Sequence, residues 1–154
     1  IIFIFLMFIG ASPGSFGGGI KTNTFVLIIY SFISTVRGKK NVEIYNRKIS
    51  SRLLYKSFSI LLFALLVIFI GWFFLLITDP EINPIFLLFE QTSAFSTVGL
   101  STENTTKELS EIGQFIIIGT MFIGRIGTLL MAFSLIQKKK NPNYKYPKAH
   151  LMVG

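Results

Sequence analysis

The chain has 154 residues, of which 51% are hydrophobic and 17 are Phe, with 15 Lys and Arg against 7 Asp and Glu for a net charge of +8. So apolar a composition is far from that of a water-soluble domain, and nucleic-acid binding is disfavoured because aromatics interleave with bases only at Tyr144-Lys145-Tyr146. No cysteine is present and His150 near the end is the lone histidine, which excludes disulfides, thiol chemistry, Cys-type metal sites and histidine clusters.

Residues 1–8 are apolar and begin with neither an initiating Met nor a charged leader. They read as part of a transmembrane helix whose beginning is missing, not as a signal peptide. Next comes Gly10-Ala11-Ser12-Pro13-Gly14-Ser15-Phe16-Gly17-Gly18-Gly19, whose glycine, serine and proline cannot hold a regular helix. Apolar residues resume over 22–36. Two half-spans around such a break predict one helix interrupted inside the membrane, a feature that marks substrate paths in transporters. An ordinary cytoplasmic turn between two short helices is the alternative. The run GSFGGGIKT at 14–22 falls short of a phosphate-binding loop, because Ile20 separates the last glycine from Lys21 and no strand precedes it. With no cytoplasmic aspartate for magnesium either, an NTPase is set aside.

Residues 37–56 carry Arg37, Lys39, Lys40, Arg47, Lys48, Arg52 and Lys56 against Glu43. The tail adds Lys138, Lys139, Lys140, Lys145 and Lys148 with no acid. Between 78 and 112 the balance inverts, with Asp79, Glu81, Glu90, Glu103, Glu108 and Glu111 facing Lys107. By the positive-inside rule the basic stretches are cytoplasmic and the acidic connection faces outward. Residues 57–78 are free of charge over 22 positions, enough at about 1.5 Å per residue to cross a core of roughly 30 Å. Residues 112–136 form a second span, interrupted by Arg125.

Between the spans, Asn83-Pro84 supplies an N-cap and a proline at the first helical position, predicting a short re-entrant helix over 84–96. The chain then returns extended over 96–101. Thr97-Val98-Gly99-Leu100 has the pattern of a carbonyl-lined cation filter, with potassium held by the carbonyls of Thr97, Val98 and Gly99. Irregular backbone of this kind is tolerated at membrane depth only where protein or a watery cavity satisfies it. A structural loop is the alternative. Glu90 reads as a scaffold acid paired with Thr92, Ser93 or a backbone amide, and otherwise as a cation-attracting carboxylate. Arg125 reads as a buried arginine, unfavourable by about 2.5–3.5 kcal/mol on insertion scales, which should face a cavity or a partner. Its functional reading is a charge that holds a gate closed or bonds the carbonyls of the broken-helix loop, and its structural reading is a buried ion pair. Met7-Phe8-Ile9-Gly10 recurs as Met121-Phe122-Ile123-Gly124, which predicts equivalent places in duplicated units, each copy ending an apolar half-helix.

Four pieces of the chain carry a family resemblance: MFIGASPGSFGGGIKT at 7–22, FEQTSAFSTVGLS at 89–101, MFIGRIGTLLMAF at 121–133, and a tail ending in Val153-Gly154. Together they resemble the potassium-uptake proteins of the Trk, Ktr and HKT superfamily, most closely the bacterial Ktr membrane subunit, over nearly the whole chain. The resemblance implies an all-α integral membrane fold of four helix–pore loop–helix repeats around one pseudo-fourfold pore. On that pattern 1–36 is the second helix of the third repeat with its intramembrane gating loop, and 37–52 is a cytoplasmic linker. The fourth repeat is 53–136, and 137–154 is a cytoplasmic C-terminal tail. Gly14, Gly17, Gly18 and Gly19 look like the gating loop, Gly99 like the selectivity glycine and Arg125 like the positive residue that meets the loop. Phe16 departs from the pattern, standing where a small residue is more usual. In this family glycine at all four filter positions favours potassium, and serine at one, in some plant members, favours sodium.

The function so implied is potassium translocation by a multi-pass plasma-membrane protein, not an enzyme. It carries no covalently bound cofactor, with potassium as substrate and sodium as candidate activator or symported ion. Implied partners are membrane lipid, the rest of the same pore subunit, a second copy in a homodimer and a cytoplasmic ring of nucleotide-binding subunits opposite the basic stretches. Two other readings stand beside it. One is a symmetric tetramer of two-helix chains, which would bring four copies of Arg125 toward one low-dielectric axis. The other is a membrane assembly subunit with no pore of its own.

Overall fold

The computed structural model describes residues 1–12, 14, 17–38, 42–44, 47–102 and 109–136, with side chains except at 47 and 127–136. The expected tail at 137–154, Phe16, Lys39, Lys40, Glu103, Lys107 and Glu108 lie outside the described residues. Five helices form: α1 (Ile2–Phe8), α2 (Thr22–Val36), α3 (Ser51–Thr78), α4 (Pro84–Ser96) and α5 (Glu111–Ile136). Two short strands, β1 (Glu43–Ile44) and β2 (Arg47–Lys48), lie between α2 and α3.

The re-entrant helix has the expected bounds, and its start is set by the expected cap. Asn83 Oδ1 accepts from the Ile85 amide at 3.1 Å, and Pro84 occupies the first turn, where a missing amide costs nothing. The break after α1 is equally plain. The loop beyond it is closed at its neck by backbone bonds from Gly10 N to Ile20 O at 2.8 Å and from Ile20 N to Phe8 O at 3.3 Å.

Three expectations change. The described fold is mostly helical and not purely α, because within the 37–52 linker β1 and β2 pair antiparallel with Glu43 opposite Lys48 and Ile44 opposite Arg47. Ile49 N extends the ladder to Val42 O at 2.9 Å, and the β-branched Val42 and Ile44 suit that pairing. Second, α3 begins at Ser51, six residues ahead of the charge-free run, since Arg52, Leu53, Leu54 and Lys56 are good helix formers. Third, the two Met-Phe-Ile-Gly copies differ in local structure. The first closes α1, whereas α5 continues unbroken through Met121–Gly124 and Arg125 to Ile136. The residues immediately beyond each copy account for the difference: Ala11-Ser12-Pro13-Gly14 stops a helix, while the Leu, Met and Ala residues after Arg125 propagate one.

At 28 and 26 residues, α3 and α5 are about 42 and 39 Å long at 1.5 Å per residue. Among the described residues, α3 is the one helix long and apolar enough to cross a membrane. Its buried positions are Ser57, Ala64, Ile68, Gly71 and Leu75, a single stripe at helical spacing. The remainder of α3 turns Leu62, Phe69, Phe73 and Ile77 outward. The buried stripe of α5, at Gly113, Ile117, Thr120 and Gly124, is likewise small or medium-sized, with Phe115, Ile118 and Phe122 outside. Small residues on the inside and large apolar ones on the outside reverse the arrangement of a soluble bundle and match helix packing in lipid.

Helix α4 lies against α1, α3 and α5, and α2 packs on α3. The α4 residues Leu87 and Ala94 join a cluster with Leu75, Leu109 and Ile117, and Phe95 joins one with Ile20, Ala64 and Ile68. Gly71 makes room for the fully buried Gln91, whose Nε2 donates to Thr120 Oγ1 at 3.0 Å across to α5. At the other end Asp79 ties α3 to the start of α5. Its Oδ1 accepts from Ser110 N at 2.7 Å and its Oδ2 from Ser110 Oγ at 3.1 Å, while Ser110 Oγ accepts from Gly113 N at 3.1 Å.

Both contacts are testable through stability. In the full-length protein in detergent, Gly71→Ala drives a Cβ into the Gln91 amide and is expected to cost about 1–3 kcal/mol by overpacking. Adding Gln91→Ala should restore part of the thermal midpoint. Asp79→Ala strands the Ser110 amide and is expected to cost about 1–3 kcal/mol, read as a lowered midpoint that Gln91→Ala does not restore.

Candidate functional site

Of the residues singled out in the sequence, Gly18, Gly19 and Thr97 meet at the last turn of α4. Thr97 N bonds Ala94 O at 3.1 Å and Val98 N bonds Ser93 O at 3.1 Å, so the helix ends in a tight reversal. That reversal puts Thr97 in the left-handed region, at φ 53° and ψ 38°, an uncommon conformation for a β-branched residue. Its side chain is held by another element: Gly18 N donates to Thr97 Oγ1 at 2.7 Å. The glycine-rich loop therefore sits directly against the start of the Thr-Val-Gly-Leu segment, which is not the extended return expected over 96–101: it forms no regular strand, and Thr97 and Gly99 take positive φ of 53° and 80° to carry the chain around the reversal.

Absent side chains allow this approach. A Cβ on Gly18 would stand 2.8 Å from Phe95 O and 3.0 Å from Thr97 Oγ1. One on Gly19, where φ is +75°, would stand 3.1 Å from Ser96 Oγ. One on Gly10 would meet Gly18 O, and one on Gly124 would meet Phe95 O from the α5 side. Lys21 reaches back to close the loop, its Nζ donating to Gly17 O at 2.7 Å. Helix α1, not a strand, leads into the loop and the ammonium is turned onto the loop's own carbonyl, both unlike a phosphate cradle. Gly14 stands apart, at φ +90° with open space where its Cβ would be. Thus Gly18 and Gly19 touch the end of α4, Gly17 receives Lys21, and Gly14 has open space around its Cβ position.

Val98, Gly99 and Leu100 are exposed. The glycine at 99 is required by its backbone, at φ +80°, and not by crowding, since a Cβ there would meet nothing within 4 Å. A cavity of about 350 Å³ opens between this segment and the first helix, lined by Leu6, Met7, Gly10, Gly17, Thr97 and Val98 among others. Arg125, expected to be buried, is exposed instead: it lies in α5 one residue after the buried Gly124, and so is turned about 100° around the helix from the buried stripe.

Glu90 is 5% exposed, and its bonds match the expected scaffold role in one part and differ in another. Its Oε1 accepts from Ser101 Oγ at 2.5 Å and from Thr102 N at 3.0 Å, whereas Thr92 Oγ1 donates to Leu88 O within α4. The backbone-amide element of the sequence reading holds, and the hydroxyl comes from Ser101 instead of Thr92 or Ser93. Sequence reasoning also passed over Gly10 and Gly124. Their signal was present, because both Met-Phe-Ile-Gly copies end in a glycine, and each glycine marks a close backbone approach.

A family model described as the cation transport protein TrkH matches residues 1–145. The chain is 42% identical over 149 residues, 97% of its length and 33% of the relative's, to the Ktr system potassium uptake protein D of Bacillus subtilis (strain 168). It is 41% identical to the Ktr system potassium uptake protein B of the same organism, over 98% of this chain and 33% of that one. Identity to the potassium/sodium uptake protein NtpJ of Enterococcus hirae is 35%, over 100% and 35% of the two chains. The chain spans about a third of the length of these curated relatives. With the family match covering nearly its whole length, it belongs to the TrkH family of cation transport proteins.

Proposed function

We propose that the chain supplies one quarter of a potassium-conducting pore, together with the gate-bearing helix of the adjoining quarter. The observation that carries the reading is the 2.7 Å hydrogen bond from Gly18 N to Thr97 Oγ1. It seats a glycine-rich break in one helix on the first residue of a Thr-Val-Gly segment, at the C-terminal end of a capped helix. The carbonyls of Thr97, Val98 and Gly99 replace water around the cation, and the partial negative charge at the end of α4 favours a cation there. The exposure of Val98, Gly99 and Leu100 supports a segment whose free side faces three others. In this reading α1, the loop and α2 belong to the third repeat, and α3 through α5 to the fourth, which starts at Ser51 with its helix. Gly14, Gly17, Gly18 and Gly19 form the gating loop, and Arg125 holds it closed.

The relatives named for potassium uptake, and for potassium and sodium uptake, support potassium as the transported ion and sodium as activator or coupled ion. The outward apolar face of α3 supports contact with membrane lipid. The sorted charges support a plasma-membrane protein with the linker, and the C-terminus with it, on the cytoplasmic side. There a homodimer would stand on a nucleotide-binding ring. A symmetric tetramer of this chain alone is the poorer reading, since the relatives are about three times as long and four Arg125 charges would repel at one axis.

Rubidium and sodium uptake by the full-length protein tests the assignment. Gly99→Ser places a side chain on a backbone at φ +80° and is expected to reduce discrimination for rubidium over sodium by about tenfold, from a strain of order 1–3 kcal/mol. Arg125→Ala and Gly18→Ala both loosen the closed loop and are expected to raise the maximal rubidium uptake rate and blunt its sodium dependence. Unchanged selectivity in the first variant and unchanged rates in the other two would remove both the filter and the gate.

A further inference from the structure

The Thr97–Leu100 segment is anchored at both ends by the same helix. At its entrance Val98 N bonds Ser93 O at 3.1 Å. At its exit Glu90 Oε1 gathers Ser101 Oγ at 2.5 Å, Thr102 N at 3.0 Å and Thr102 Oγ1 at 3.5 Å. Between the anchors Val98, Gly99 and Leu100 are exposed, and Gly99 has open space on its Cβ side. The spacing of the carbonyls in this stretch is therefore fixed by what happens at its two ends.

We propose that Glu90 is a positioning residue for ion selection, holding the exit of the segment so that its carbonyls keep one spacing whether or not an ion is present. The proposal rests on reading 97–100 as the filter. A carboxylate suits the task because bonds to an ionised acceptor are shorter and roughly twice as strong as neutral ones. One oxygen also takes a hydroxyl and a backbone amide from successive residues, which fixes direction as well as distance. Attracting cations from solution is a poorer role for this acid. It is 5% exposed, and an ion reaching Oε1 would have to displace the Ser101 and Thr102 donors.

Michaelis constants for potassium and sodium, measured on the full-length protein at matched membrane abundance, separate positioning from bulk scaffolding. Glu90→Ala is expected to lower the sodium-to-potassium ratio of Michaelis constants about tenfold, the scale of one lost charge-assisted bond. Glu90→Gln keeps an acceptor of the same shape and should stay within about threefold of the parent. Ser101→Ala removes the shortest donor from an exposed residue and should shift the ratio in the same direction as Glu90→Ala. It decides the matter if Glu90→Ala does not reach the membrane. A purely structural role would lower abundance and maximal rate and leave the ratio alone, which overturns the proposal. If Gly99→Ser moves the ratio while Glu90→Ala and Ser101→Ala do not, the tether is wrong and the filter stands. If none of the three moves it, the filter assignment is lost as well.

Discussion

The structure turns on the closeness with which backbone is allowed to approach the last turn of α4. The Phe95 carbonyl lies against Gly18 from the loop and Gly124 from α5, while Ser96 lies against Gly19. A single added Cβ at any of these positions would meet α4 main-chain or short side-chain atoms, with few rotamers available for relief. Three segments far apart in the sequence are thereby held in one register. The hydrogen bond between Gly18 and Thr97 is possible only because that register places the loop amide 2.7 Å from the hydroxyl.

Around this junction the polarity of the molecule is reversed relative to a soluble domain. Glu90, Gln91, Thr92, Ser93 and Ser96 are among its most buried residues, and aromatic and aliphatic side chains of α3 and α5 make up much of its surface. Apolar burial alone cannot hold such an interior together, since lipid tails solvate apolar groups as well as leucine does. Close packing of small residues and specific polar pairs do so instead. Gln91 with Thr120, Asp79 with Ser110 and Glu90 with Ser101 link α4 to α5, α3 to the start of α5, and α4 to the segment that leaves it.

Much of this was legible in the chain itself. Asn83-Pro84 marked the start of α4, because cap chemistry is local and has few solutions. The break after Phe8 was equally readable, since Pro13 and a run of glycines admit no helix. Less local facts were harder. The β1–β2 hairpin has only two residues per strand, too short for a period-2 pattern to stand out beside a dense run of charge. The repeat at 121–124 suggested equivalent half-helix ends in duplicated units, but helix continuity depends on the residues beyond it, and in the second copy these favour it. Glu90 was placed on the right helix with a wrong hydroxyl partner, because i to i+11 contacts across a tight reversal leave no periodic trace.

The burial of α4 also constrains the order in which such a chain is built. Seven consecutive residues, Glu90 through Ser96, are enclosed, and the side-chain partners of Glu90 and Gln91 belong to segments made afterwards: Ser101 and Thr102 beyond the helix, and Thr120 on α5. On the membrane reading, a segment with this many hydroxyl, amide and carboxylate groups has no stable place in hydrocarbon by itself. The Glu90 and Gln91 side chains find these partners only once Ser101, Thr102 and Thr120 are in place beside α4. The segment proposed to handle ions thus depends for its fold on chain that is made after it.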